Sequence, residues 1–376
     1  MDGAKKLVKV WALVIASLCY CFFVGKLVPK GIKRLLLVAP VVFAFFLVPL
    51  HISSVHFGGI TAFFVAWLAN FKLLLFAFGR GPLSPDPIPH SLPIFLAVSC
   101  LPIKIRVDPD STGNDHDPSR VSHLHTKPKS ERGPDGTGKP KSREGPLNYT
   151  IKALLLVLFL KAYDYSERMP RKAVLALYAL HVYFILELIL AAAAAGGRAT
   201  LGLELEPQFK EAYLATSLQD FWGRRWNLMV SSILRPTVYE PSLRLFSSVL
   251  GKMRAPLPAV FSTFVVSALM HELIFYYMGR LRPAWELTWF FLIHGICTTV
   301  EIAVKKAIGG RWRFPTAVAR MLTVGFVMAT ALWLFLPEFE RCKIADKAFE
   351  EYKALGAILD LITQGLLGSA TATATT

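Results

Sequence analysis

The chain reads as an all-α, polytopic transmembrane bundle, and three observations lead there. Apolar residues make up 54% of its 376 positions, above the roughly 45–50% of ordinary soluble domains. Several windows reach the roughly 20 apolar residues that a helix needs to cross about 30 Å of hydrocarbon. These runs are continuous rather than alternating, and because lipid accepts only helices or closed barrels, they are helices. About seven to nine helices are expected to cross or enter the bilayer, in one domain.

In chain order, the first candidate spans are Leu7–Val24, Leu35–Leu50 and Phe57–Phe78, the last carrying the phrase WLANFKLLLFAFGRGPL. Lys5, Lys6 and Lys9 precede the first run as in a secretory signal, but Gly25-Lys26 ends it without a small-residue cleavage site, so an uncleaved anchor is expected. The basic loop after the first span points to the cytosol and would leave residues 79–150 cytosolic, although Lys5, Lys6 and Lys9 argue the other way.

Prolines at 82, 85, 87, 89, 93 and 102 then punctuate a stretch whose apolar centre, Leu92 to Ile103, is too short to cross; a re-entrant or interfacial element is expected. Residues 107–147 are rich in Pro, Gly, Ser, Asp and Lys and are expected to remain disordered, unable to bury enough apolar surface to fold. Ile151–Tyr163 is short for a span. Arg171–Ala195 crosses, and Leu201–Leu218 reads as an amphipathic helix with Pro207 in its first turn. Leu257–Met278, Trp285–Val304 and Pro315–Leu336 complete the spans. From Ala348 to Leu367, the spacing of Leu355, Ile358, Leu359, Ile362 and Leu366 marks one apolar helix face suited to the membrane surface.

A net charge of +16 raises the question of nucleic acid. Its placement answers no, because acidic and basic residues balance in 107–147 and the excess flanks the spans, at Lys26, Lys30, Lys33, Arg34, Arg168, Arg171, Lys172, Lys305, Lys306, Arg311 and Arg313. That pattern marks the cytosolic side and attracts anionic headgroups, or an anionic carrier such as coenzyme A. The cysteines at 19, 21, 100, 297 and 342 have no CxxC spacing, so neither a disulfide framework nor a zinc site is indicated. No metal or resident cofactor is expected.

Two stretches can carry chemistry. His271 lies deep in an apolar span, where an ionisable group is by default a functional candidate. Helical spacing puts Phe264, Ser267, Ile274 and Phe275 on its face. A neutral imidazole there can take a proton from a hydroxyl; an interhelical hydrogen bond is the structural alternative. His271-Glu272 opens like a zinc-protease HExxH helix, but Phe275 stands where the second ligand is required, which excludes that reading. The second stretch is Phe221-Trp222-Gly223-Arg224-Arg225-Trp226-Asn227. Asn227 can donate to a developing oxyanion and Arg225 can bind phosphate, whereas an aromatic and basic belt at the membrane boundary would account for Trp222 and Arg224. His294, followed by Gly295, either faces His271 or serves as a structural donor. Glu301, one turn before Lys305, reads as half of a helix ion pair.

The phrases SLQDFWGRRWNLMVSSILRPTVYEP, SALMHELIFYYMGR, FFLIHGICTTVE and FGRGPLSPDPIPHSLPIFLAVSCLPIKI resemble the plant wax synthase branch of the membrane-bound O-acyltransferase superfamily. The resemblance covers nearly the whole chain except 107–147. It implies a fold of that type, an endoplasmic reticulum membrane, acyl-coenzyme A as co-substrate, and a long-chain fatty alcohol or other lipid alcohol as acceptor. His271 matches the superfamily's catalytic histidine. Phe221, Trp226 and Asn227 match its Phe-Tyr-x-Asp-Trp-Trp-Asn motif, while Arg224 replaces the acid. Substrate contacts are expected from Phe221, Trp222, Arg225, Trp226, Ser267 and His294. A sterol, or a diacylglycerol with an acetyl donor, are alternative acceptors, and a membrane transporter is the alternative from a different class. The chain divides accordingly into 1–106, the N-terminal spans and Pro-rich element; 107–147, the polar loop; 148–345, the acyltransferase core; and 346–376, the C-terminal helix and tail.

Overall fold

A computed structural model describes residues 2–84, 91–101, 146–201, 209–309, 314–354, 356–357 and 363. Seven helical runs within it are long and apolar enough to cross a membrane: Lys5–Leu27, Ile32–His51, Val55–Ala77, Arg171–Gly197, Pro256–Gly279, Glu286–Ile308 and Thr316–Arg341. Each coincides with a run expected from the sequence, to within a few residues at the ends. Among the described residues there is no strand.

Packing distinguishes helices that hydropathy alone makes alike. Val55–Ala77 is the central helix, with 78% of its most apolar window buried against 11% for Arg171–Gly197. Helix α1 (Asp2–Leu27) turns Val10, Val14, Leu18 and Cys21 inward at helical spacing, onto Val38, Val41 and Phe45 of α2 (Ile32–Leu47). The central span is composite, running as α3 (Val55–Thr61), a π-helical stretch Ala62–Ala69 and α4 (Asn70–Ala77). Gly25 lets it approach α1, since a Cβ there would run into the Phe76 ring.

Two cations expected to sit at the membrane boundary or left unremarked are built into this core. The Arg34 guanidinium donates to the carbonyls of Gly25 (3.0 Å), Val28 (2.6 and 2.9 Å) and Phe76 (3.3 Å), closing the ends of α1 and α4 rather than meeting headgroups. Lys72 is fully buried and donates through Nζ to Val98 O (2.6 Å) and Leu101 O (2.7 Å). It thereby holds the last turn of α5 (Leu92–Cys100), the nine-residue helix where the sequence calls for a non-crossing element.

Helix α6 (Pro146–Ala162) starts inside the segment expected to be disordered, whose remaining residues 107–145 lie outside the described ones, and is too short to count as a span. It pairs with α7 (Arg171–Leu201) through Lys152 and Glu187, 2.5 Å apart. The amphipathic helix expected over Leu201–Leu218 is not found in its described part: Leu201 ends α7, and 209–217 hold a single 3₁₀ turn at Ala212–Leu214; Pro207 lies outside the described residues. Helices α8 (Leu218–Asp220), α9 (Leu228–Leu234) and α10 (Glu240–Leu250) lead into α11 (Pro256–Gly279) and α12 (Glu286–Ile308). As expected, Gly295 permits close packing of α11 on α12: a Cβ there would meet Phe264 Cβ at 2.9 Å. The last span is α13 (Thr316–Thr330), a π-helical stretch Ala331–Phe335 and α14 (Pro337–Arg341).

The chain then returns to the central span. Glu351 accepts from Ser54 Oγ (3.0 Å), Val55 N (2.5 Å), His56 N (3.3 Å) and His56 Nδ1 (2.6 Å), so a carboxylate from the C-terminal segment caps α3. Burial alone would raise the Glu351 carboxyl, but these hydrogen bonds prevail and hold it below the usual range. Tyr352 beside it bonds His56 Nε2 at 2.7 Å and His181 Nε2 at 3.2 Å, and burial, with the Glu351 charge adding, pushes its phenol up to about 12. Of the apolar face read over Ala348–Leu367, Leu355, Ile358, Leu359, Ile362 and Leu366 lie outside the described residues.

Candidate active site

Three π-helical stretches converge on one layer of the bundle. An added residue in a helical turn re-aims the side chains that follow it, and such turns are frequent at functional sites. Here Ala62–Ala69 carries Trp67, Phe221–Arg225 carries Trp222, and Ala331–Phe335 carries Phe335. Between them stand the histidines of α11 and α12.

On α11, Nδ1 of His271 lies 2.7 Å from the carbonyl oxygen of Ser267. A carbonyl only accepts, so Nδ1 carries the proton and Nε2 holds the lone pair. No hydrogen bond engages Nε2 among the described residues, and the side chain is half-buried. Its walls are aromatic. Phe291 is tilted over the ring at 4.3 Å, Trp67 meets it edge-on at 5.3 Å, and Phe335 at 5.9 Å. The sequence places the Ser267 hydroxyl on this face, and the contact made is with the carbonyl of the same residue. That contact fixes the tautomer as well as the ring.

His294 is arranged the opposite way. It is fully buried, and the Trp222 indole N–H donates to its Nδ1 at 3.0 Å. An indole only donates, so Nδ1 is the acceptor and Nε2–H donates to Thr330 Oγ1, 2.8 Å away. Thr330 in turn donates to Phe326 O at 2.8 Å. Both nitrogens are engaged. Of the two roles open to His294, the structure gives it the structural donor's, with Phe291 of its own helix against both Trp222 and His271.

The FWGRRWN segment is fixed to α12 at two points. Glu301 accepts from Leu218 N (2.8 Å) and Gln219 N (3.4 Å) while pairing with Lys305 at 2.7 Å, as its spacing suggested. Seven residues earlier on the same helix face, His294 receives Trp222. Phe221 stacks on Trp226, the rings 5.5 Å apart, and the Arg225 guanidinium donates to Asp220 (2.7 Å) and to the carbonyls of Lys210 and Glu211. Arg225 therefore holds the approach to the motif, which is not the free phosphate ligand the sequence suggests. Asn227 adopts φ 43° and caps α9, its Oδ1 accepting from Val230 N at 3.4 Å; its Nδ2 makes no hydrogen bond among the described residues. The structure thus gathers His271, Ser267, Trp222 and His294 into one layer, and sets Phe221, Arg225, Trp226 and Asn227 along its flank.

Trp67, Phe291, Phe335 and Thr330 belong to this layer without having been singled out from the sequence. Trp67, Phe291 and Phe335 sit in apolar runs where nothing but packing distinguishes them from their neighbours, and Thr330 is a hydroxyl in such a run; the only signals are that Trp67 opens the phrase WLANFKL and that Phe291 lies in FFLIHGICTTVE.

Seven apolar spans define a multi-pass membrane protein, and the open nitrogen of His271, walled by rings from three other spans, marks a candidate site within it. Residues 205–293, which include both FWGRRWN and His271, match the family model described as membrane bound O-acyl transferase family. Over 93% of its length the chain is 64% identical to acyl-CoA–sterol O-acyltransferase 1 of Arabidopsis thaliana, covering 95% of that protein. It is 46% identical to long-chain-alcohol O-fatty-acyltransferase of Simmondsia chinensis over 97% of the chain and 98% of that protein, and 44% identical to probable long-chain-alcohol O-fatty-acyltransferase 1 of Arabidopsis thaliana over 92% and 94%. The chain belongs to the membrane bound O-acyl transferase family. It is an acyl-CoA O-acyltransferase.

Proposed function

We propose that this acyltransferase esterifies the 3-hydroxyl of a sterol with the acyl group of acyl-coenzyme A, with His271 as general base, in the endoplasmic reticulum membrane. The observation that carries the chemistry is the open Nε2 lone pair of His271, set by the Ser267 carbonyl inside an aromatic wall. The acceptor hydroxyl gives its proton to Nε2 as its oxygen bonds to the thioester carbon. The carbonyl oxygen takes the negative charge, with Asn227 Nδ2 as the candidate donor to it. On collapse the C–S bond breaks, the imidazolium returns the proton to the departing thiolate, and an ester and free coenzyme A leave. No acyl-enzyme is needed.

Sterol is preferred to the fatty alcohol expected from the sequence because the relative named for sterol is 64% identical and the one named for long-chain alcohols 46%. The long-chain alcohol is retained as the second acceptor on the strength of that 46% likeness across nearly the whole chain. Expression in a yeast strain lacking neutral-lipid synthesis, with a fatty alcohol supplied and a His271→Ala control, separates these readings. Steryl esters that vanish in the control support the proposal; wax esters alone move the acceptor; no new ester removes it. Co-fractionation of the activity with microsomes tests the location.

A further inference from the structure

The central span keeps three polar atoms without a hydrogen-bond partner among the described residues: Thr61 Oγ1, Trp67 Nε1 and Asn70 Oδ1. All three residues are at most 1% exposed. They are not equivalent. A threonine hydroxyl can rotate to find an acceptor, and Asn70 already donates through Nδ2 to Ala66 O at 3.1 Å. An indole N–H is a donor only, with one direction and no rotor, and the rings set edge-on to Trp67, Phe63 at 5.6 Å and His271 at 5.3 Å, offer its N–H at most a weak contact. Buried polar groups are nearly always paired, and each exception calls for an explanation, of which a catalytic role is one; four further such atoms among the described residues, Ser84 Oγ, Tyr163 Oη, Glu187 Oε2 and Thr298 Oγ1, lie outside the central span.

Its position supplies one. Trp67 belongs to the π-helical stretch Ala62–Ala69 and its ring stands 5.3 Å from His271, at 80° to the imidazole. The other rings on His271 are Phe291 and Phe335, which offer no donor. Acyl transfer needs the base and a hydrogen-bond donor on either side of one carbonyl carbon, each about 3 Å from its reacting atom. We propose that Trp67 Nε1–H donates to the thioester carbonyl oxygen of the acyl donor and strengthens that bond as the oxygen becomes an oxyanion. This rests on the reading of His271 as the base. A donor fixed in the most enclosed span is preorganised, which is the condition under which such a hydrogen bond accelerates a reaction rather than merely binding substrate.

The test compares the parent enzyme, His271→Ala, Trp67→Phe and a protein with 3-benzothienylalanine at position 67, which keeps the indole shape and puts sulfur in place of N–H. Thiol release from acyl-coenzyme A is followed in detergent with a fixed acceptor, together with the thermal unfolding midpoint. An inactive parent defeats the proposed function itself; an active parent with an active His271→Ala defeats the base. With the parent active and His271→Ala inactive, the benzothienyl protein is expected to lose about 10²-fold in kcat while KM for acyl-coenzyme A stays within about threefold and the midpoint is unchanged. Trp67→Phe is expected to follow it. A benzothienyl protein whose kcat stays within about threefold of the parent overturns the proposal, as does a rise in KM alone, which would mark a ground-state contact.

Discussion

His271 and His294 occupy neighbouring helices and each lies against a phenylalanine of α12, Phe291 and Phe290 respectively, yet they differ in one nitrogen. His271 gives one nitrogen to a carbonyl of its own helix and keeps the other open. His294 receives Trp222 on one side and donates to Thr330 on the other, and so ties three elements, the FWGRRWN segment, α12 and α13, into one hydrogen-bonded line. A buried imidazole with both nitrogens engaged rigidifies. One with a lone pair left over can do chemistry.

The comparison breaks most simply at the histidine with the open nitrogen. His271→Ala is expected to lower turnover by about 10²–10⁴-fold, the usual contribution of a general base, without unfolding the protein. Retained thiol release at the parent rate would mean that the open nitrogen is incidental. His294→Ala acts through structure instead. It leaves the Trp222 N–H buried without an acceptor, at a cost of about 1–3 kcal/mol, and should lower the unfolding midpoint while reducing turnover less than His271→Ala does. In a double-mutant cycle, Trp222→Phe should cost less in the His294→Ala background than alone, because the shared hydrogen bond is already gone. Additive effects would show that the Trp222–His294 bond contributes nothing to stability.

The sequence discloses His271 more readily than what surrounds it, for a physical reason. A titratable residue inside an apolar run is conspicuous, and the seven spans are legible because length and hydropathy together decide them. The His294 line depends on Trp222 and Thr330 from elements far away in the chain, so spacing leaves its role open. Trp67 is less legible still: within AFFVAWLA it reads as one more apolar residue, and only closure of the bundle shows that its N–H lacks a partner. Arg34 misdirects in the other direction, because charge near a span suggests headgroups where its side chain closes helix ends, while Lys72 inside its apolar run gives no sign that it holds the end of α5.

Asn227 sharpens the contrast between holding and reacting within a single side chain. Its Oδ1 caps α9 and its backbone sits in the left-handed region, which Asn tolerates better than most residues. Asn227→Ala should cost about 1 kcal/mol from cap loss and strain, and Asn227→Gly only a few tenths. If Nδ2 also steadies the oxyanion, both variants lose turnover alike despite their different stabilities. Turnover that follows stability would leave Asn227 a cap alone.

The smallest expected effect lies at the third histidine, His56, whose ring is engaged on both sides like that of His294 but near the chain's C-terminal return. Its partner Glu351 is held below the ordinary carboxylate range, so the ionised form is favoured by folding. The sign follows from linkage: the stabilisation is present above the unfolded carboxyl value of about 4.3 and is lost as pH falls through the lower folded value. The amide-exchange protection factor at Val55 and His56 should therefore be high at neutral pH and fall only in acid, and Glu351→Gln should lower it at neutral pH and remove its acid dependence, by about 1 kcal/mol in local opening. Turnover at neutral pH should change little, because none of the rings set against His271 comes from α3 and the Trp67 turn lies beyond it in the same span. A large loss of kcat in Glu351→Gln would mean that capping α3 sets the Trp67 wall, and that the distinction between holding and reacting histidines extends through the whole central helix.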